Sequence, residues 1–214
     1  MSLKAVVWHA NYKRPNGEDA GNTYERLFVG FTKMLHQHDI TLIHLTTDGH
    51  AKWGDETIHY DLDPKNVVLN REIAFCDYLK SQDELVWFTE PDTYIHKMFP
   101  MSDADCVLLT RLNDGVSLNP AWRMANKNAL SLFEEFRDET ELTGKHDWHG
   151  DSDAFKKVHK RMGMPFHNKR TRVQYNEINI ELRDYAHYIK GDCRFTQNYL
   201  SDAKESLMQL WKCS

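Results

Sequence analysis

The sequence predicts an α/β fold with a mostly parallel central sheet flanked by helices, and three observations predict it. Short apolar runs of buried-strand character recur at residues 4–9, 40–45, 85–89 and 106–110. Segments with apolar residues at helical spacing lie between the earlier runs. The resulting order, strand, helix, strand, strand, helix, strand, is that of crossover-connected parallel strands. With 214 residues, 41% hydrophobic and 28% charged, the chain has enough apolar mass for a core and is expected to form a single domain over 1–214.

Each element has its own warrant. Lys4-Ala-Val-Val-Trp-His9 is β-branched and aromatic. Residues 10–22 hold Pro15-Asn16-Gly17 and Gly21-Asn22 and read as a loop. Thr23 opens a helix in which Leu27, Phe28, Phe31, Met34 and Leu35 recur on one face. A second strand follows at 40–45 and a weaker third at 57–62. Pro64 and Asn66 introduce a helix over 67–79 with Ile73, Cys76 and Leu79 facing inward. Leu85-Val-Trp-Phe-Thr89 is the strongest strand signal, and Cys106–Thr110 is another. After Asn119-Pro120 the spacing predicts a helix from Trp122 to Phe136, then a polar loop over 137–150. Asp151-Ser152-Asp153 reads as a cap for a helix from Ala154 to Met162, which Gly163 ends. Strands are expected at 178–182 and 185–189, and an amphipathic helix from Ser201 to Trp211.

Composition removes several function classes. No run approaches the ~20 apolar residues of a membrane span, and no signal-peptide pattern follows Met1, so a cytoplasmic protein is expected. Cys76, Cys106, Cys193 and Cys213 are scattered with no Cys-x-x-Cys pair, which argues against a zinc ribbon and a redox dithiol. The net charge of −5 argues against a globally basic nucleic-acid binder, although Lys156 to Arg172 carries seven Lys/Arg and no acid. That stripe is either a solvated face or a seat for a polyanion. Neither a Gly-x-Gly-x-x-Gly nor a phosphate-loop motif is present.

Four constellations carry chemistry. Phe88-Thr-Glu90-Pro-Asp92 ends the strongest strand in two carboxylates, hard oxygen donors that suit Mn²⁺ or Mg²⁺; the plain alternative is an Asp/Pro turn. His187 precedes Lys190, Gly191 and Arg194, a metal-type imidazole followed by groups suited to phosphate oxygens. Asp151 and Asp153 either cap a helix or meet a sugar hydroxyl or nucleophile. Nearby His146 and His149 form a weak candidate zinc pair. Arg71 lies among apolar neighbours at the edge of its helix's packed face, where it is either salt-bridged or able to reach a pyrophosphate.

In this order the pieces resemble the GT-A-fold glycosyltransferases of the glycogenin and lipopolysaccharide-galactosyltransferase type. The resemblance implies a GT-A-like domain, with residues 1–110 as the nucleotide-binding half and 111–214 completing the metal and acceptor side. It implies Glu90 and Asp92 as the paired-acid motif and His187 as third ligand to Mn²⁺ (or Mg²⁺). Lys190, Gly191 and Arg194 would lie against the diphosphate, and His9, Asn11 and Tyr12 at the nucleoside. Asp151 would contact the sugar. Glu90 stands where the family has Asp, one extra residue precedes Gly191, and Phe195 stands where the family prefers Pro. The implied reaction is transfer from a nucleotide diphosphate sugar, a UDP-sugar first, to an unknown acceptor: a glycan, or nucleic acid such as a modified DNA base held by the basic stripe. Two rivals remain. One is a metal-dependent hydrolase or nuclease on Asp92, His146, His149 and Asp151. The other is a non-catalytic nucleic-acid or protein-binding module.

Overall fold

The computed structural model describes residues 3–9, 21–47, 49, 52–63, 65–91, 93–95, 98–111, 117–144, 148–163, 171–184 and 195–197. The first half runs β1 (Lys4–Trp8), α1 (Gly21–His36), β2 (Thr41–Thr46), β3 (Glu56–His59), α2 (Val67–Leu79), β4 (Val86–Thr89) and β5 (Thr93–Ile95). It continues with β6 (Cys106–Arg111), β7 (Ser117–Ala125), α3 (Leu130–Thr143), α4 (Trp148–Met162), β8 (Thr171–Tyr175), β9 (Ile178–Asp184) and β10 (Phe195–Gln197).

Eight strands form one sheet in the order β3-β2-β1-β4-β7-β6-β9-β8. β1, β2, β3 and β4 are parallel, as are β6 and β9, while β7 and β8 run against their neighbours. The expected α/β fold with a mostly parallel, helix-flanked sheet is the fold observed.

Successive residues of β1 feed opposite faces, because strand side chains alternate. Val6 and Trp8 join the core beneath α2, α3 and α4, and Ala5 and Val7 join the core beneath α1. The helical side is cemented by aromatic contact: Phe136 of α3 and Phe155 of α4 stack with ring centroids 3.9 Å apart.

The segment after Asn119 departs from expectation. Residues 117–125 are strand β7, and the helix begins only at Leu130 after a short 3-10 turn. Ala121, Met124 and Ala125 favour a helix intrinsically. A strand buried on both faces also loses the alternating pattern that reveals strands, and residues 118–125 are all buried between β4 and β6. Pro120 is tolerated because the β6–β7 register shifts between Leu108 and Thr110, so its missing N–H falls in the irregularity. There the Asn119 side chain accepts the Ala121 N–H at 3.0 Å.

Residues 137–143, expected as loop, continue α3, and Gly144 at φ 60° closes it. Its last turns hold because Glu139 pairs with Lys157 (2.7 Å) and Arg161 (2.6 Å) of α4. Helix α4 begins at Trp148, so Asp151 and Asp153 lie inside it rather than capping it, while Gly163 at φ 62° follows its end as expected. Strand β8 was missed. It forms a hairpin with β9 through Asn176 and Glu177, both at positive φ, a pair that lacks the usual glycine. The strand expected at 185–189 and the helix expected at 201–211 lie outside the described residues.

Candidate active site

Parallel strands bring their C-terminal ends to one edge, where ligands of such sheets gather. Register fixes which residues meet there: Val7 pairs with Thr89, so Glu90 leaves β4 level with Trp8, and His9 follows one residue further on the opposite face of the sheet. Thr110 pairs with Asp184, so the chain beyond β9 departs from the edge where β6 ends. Between β4 and β5 the Thr93 N–H donates to the Glu90 carbonyl at 3.2 Å, closing a turn with Pro91 at its second position. The hydroxyls of Thr89 and Thr93 meet at 3.0 Å across it.

Strand β10 then pairs antiparallel with β5, Phe195 opposite Ile95 and Gln197 opposite Thr93. The chain enters β10 at Phe195, and it is Gln197 that lies beside Thr93 at the end of the Pro91 turn. His187, Lys190, Gly191 and Arg194, with Asn11, Tyr12 and Asp92, lie outside the described residues.

Among the described candidates, three from distant stretches of chain converge. Arg71, near the start of α2 and 3% exposed, donates through Nη2 to Asp151 Oδ2 at 2.8 Å, and its Nη1 lies 3.5 Å from Glu90 Oε1. Asp151 sits in the first turn of α4, where the helix dipole favours a carboxylate. Asp153, two residues on, is turned about 200° round the same helix, away from that contact. Arg71 is thus salt-bridged in this structure.

Two residues that sequence reasoning passed over complete the cluster. Glu72 accepts from Arg71 Nε (3.0 Å) and Nη2 (2.9 Å), and takes both Arg123 Nη1 (2.7 Å) and Nη2 (3.0 Å). Two guanidiniums thus face three carboxylates, Glu72, Asp151 and Glu90. Glu90 is the least buried of the five groups, its side chain 17% exposed while the other four are buried. A paired sequence signal was lacking: residues one apart on a helix do not normally face each other, and Arg123 fell in a stretch read as helix.

Burial opposes charge on Arg71, but Glu72, Asp151 and Glu90 outweigh it and raise its pKa further, so it stays protonated. Burial likewise pushes the Glu72 carboxyl up, and Arg123 and Arg71 overcome it, holding the group below its ordinary value of 4.5. A carboxyl depressed in the folded state stabilises above its unfolded pKa, and that contribution is lost as pH falls through the folded value. The urea midpoint is therefore expected to fall as pH drops below about 4.5, and less steeply in Glu72→Gln. Equal slopes in the two proteins would remove Glu72 from the linkage.

His9 is 5% exposed and lies in an aromatic group at the ends of β1 and β2. Its ring centroid is 4.8 Å from Trp53 and 5.8 Å from Phe28, and His44 stacks on Trp53 at 5.5 Å. In the basic stripe, Lys157 and Arg161 are paired with acids of α3, and Arg172 with Asp103 and Glu181. Lys156 and Lys160 are exposed. Among the described residues no group of three or more His, Cys, Asp or Glu is arranged to hold a metal, and no helix is long and apolar enough to cross a membrane.

Comparison with solved structures gives this arrangement its context. A glycosyltransferase involved in glycosylation of the major capsid of PBCV-1 aligns over 99% of this chain and 100% of its own, with a TM-score of 0.54 and 12% identity. The chain has a glycosyltransferase fold. The apo form of the glycosyltransferase GlyE of Streptococcus pneumoniae TIGR4 also aligns, with a TM-score of 0.50 and 17% identity, over 75% of this chain and 44% of its own. No family model and no curated protein matches the sequence. Within this glycosyltransferase fold, the Arg71 cluster occupies the edge where β1 and β4 end.

Proposed function

We propose that this chain is a metal-dependent glycosyltransferase that takes a sugar from a nucleotide diphosphate sugar, with a UDP-sugar as the first donor to test. One observation carries the reading: on a glycosyltransferase fold, Arg71, Asp151 and Glu90 meet at the sheet's ligand edge, at the turn leading into β5, with which β10 pairs.

A divalent ion fits what is present. The least buried carboxylate of the cluster, Glu90, reaches the sheet's ligand edge, and carboxylate oxygens are the donors Mn²⁺ and Mg²⁺ take. Glu90, Asp92 and His187 are the residues that would hold it. When bound, such an ion supplies Lewis-acid neutralisation of a departing diphosphate. The chain's own residues do the rest. Arg71 orients Asp151, so that Asp151 can accept a hydrogen bond from a sugar hydroxyl. Lys190 and Arg194 add positive charge where the leaving group develops negative charge. Asp151, rather than Asp153 on the other side of α4, serves as base if the reaction inverts. His9, Asn11 and Tyr12 would contact the nucleoside, with half-buried Trp53, packed on His9, extending that wall. A glycan acceptor is better supported than nucleic acid, because ion pairs already engage Lys157, Arg161 and Arg172. A cytoplasmic location remains part of the reading.

The test is a thermal-shift panel of nucleoside diphosphates with and without Mn²⁺. One nucleotide is expected to raise the unfolding midpoint only when metal is present; at a hundredfold excess over Kd the gain is about 2.7 kcal/mol, several degrees for this chain length. Stabilisation by metal with no nucleotide preference, together with phosphodiester cleavage, would favour a hydrolase. No response to either ligand would leave a binding module.

A further inference from the structure

We infer that Glu72, anchored by Arg123, is a positioning residue that keeps Arg71 on Asp151 while holding it back from a full ion pair with Glu90; the inference rests on the reading of Glu90 as a cation ligand. Arg123 projects from β7, at the centre of the sheet, and is fully buried. Its guanidinium carbon lies 4.9 Å from the ring centroids of Phe133 and Phe155 and 5.1 Å from that of Phe75, so α2, α3 and α4 each contribute a wall. Packing fixes this cation, and both of its terminal nitrogens fix Glu72. Glu72 in turn engages Nε and Nη2 of Arg71. What remains of the Arg71 fork reaches Asp151 at 2.8 Å but Glu90 only at 3.5 Å, beyond the 2.7–2.9 Å of a full charge-assisted bond, about the range such pairs adopt.

Stability alone does not account for the arrangement. A buried ion pair is commonly replaced by apolar residues of similar volume with no loss of stability, and four phenylalanines around Arg123 would accept an aliphatic chain. The charged pair gives direction. Without Glu72, Arg71 would have only Asp151 and Glu90 to face, and would close on Glu90, competing with any cation there.

The double variant Glu72→Leu/Arg123→Met tests this without stranding a charge. Its crystal structure is expected to show Arg71 within ordinary ion-pair distance of Glu90. Manganese binding in the presence of UDP, read by electron paramagnetic resonance, is expected to weaken about tenfold, the lower end of the range for outer partners of metal ligands. The donor KM measured at saturating metal should stay within about threefold, a split that general loss of structure would not produce. An Arg71–Glu90 distance still near 3.5 Å with unchanged manganese affinity overturns the inference. Should the double variant not fold, Glu72→Gln removes the charge and keeps an acceptor. The same two readouts should then move in the same direction, and no movement overturns the inference. If the unmodified protein binds no manganese with any nucleotide, the proposed function falls, while the Arg71–Glu90 distance in the variant still decides the positioning relation.

Discussion

Arg71→Met is expected to lower the thermal unfolding midpoint by roughly 10 °C at neutral pH. Removing the guanidinium leaves Asp151 buried without its 2.8 Å partner, and Glu72 with Arg123 alone. Stranding one partner of a buried ion pair costs about 3–5 kcal/mol, and each kcal/mol is worth about 2–4 °C in a chain of this length. The depressed Glu72 carboxyl keeps Arg123 as a partner in the variant, so part of the loss of stability as pH falls below about 4.5 should persist. A variant melting within 2 °C of the parent at neutral pH would show that the network does not hold the fold as described.

Asp92→Ala is expected to abolish metal-dependent nucleotide binding and to reduce sugar transfer about a thousandfold. Metal neutralisation of a leaving group is worth several kcal/mol, and each 1.36 kcal/mol is about a factor of ten in rate. The fold should survive. Position 92 is the third residue of a turn closed by backbone, and β4 and β5 hold their neighbours without it. Calorimetric titration with UDP, with and without Mn²⁺, reads the result directly. UDP binding with unchanged metal dependence would sink the assignment of the acid pair. Glu90→Gln is the informative companion, because it also weakens the contact to Arg71.

The parallel half of the fold was legible in the sequence because its signals were local. Helix α2 lies at 67–79 as expected, since Asn66 and an apolar face mark it unaided. β1, β2, β4 and β6 were each found within a residue or so, because β-branched and aromatic runs announce buried strands. β7 was not legible: its helix-forming residues and proline are overridden by the two strands that enclose it. The site divides the same way. Arg71, Glu90 and Asp151 could be singled out as chemistry-bearing groups near element ends, but their meeting depends on α4 starting six residues earlier than its capping signal implied. Glu72 and Arg123 carried no local signal, because a buried pair brought together from a helix and a distant strand is a property of packing, not of spacing.

The pairing of β10 with β5 joins positions about a hundred residues apart in sequence. During vectorial synthesis, a nascent chain still short of Phe195 has already produced β1 to β9 and the Arg71 cluster, yet has no strand to lay beside the Pro91 turn. The entropy of bringing such remote stretches together must be met before their contacts reward it. The β5–β10 pair is thus the last of the described strand pairings to become available, and a polypeptide released early would carry the eight-stranded sheet without it.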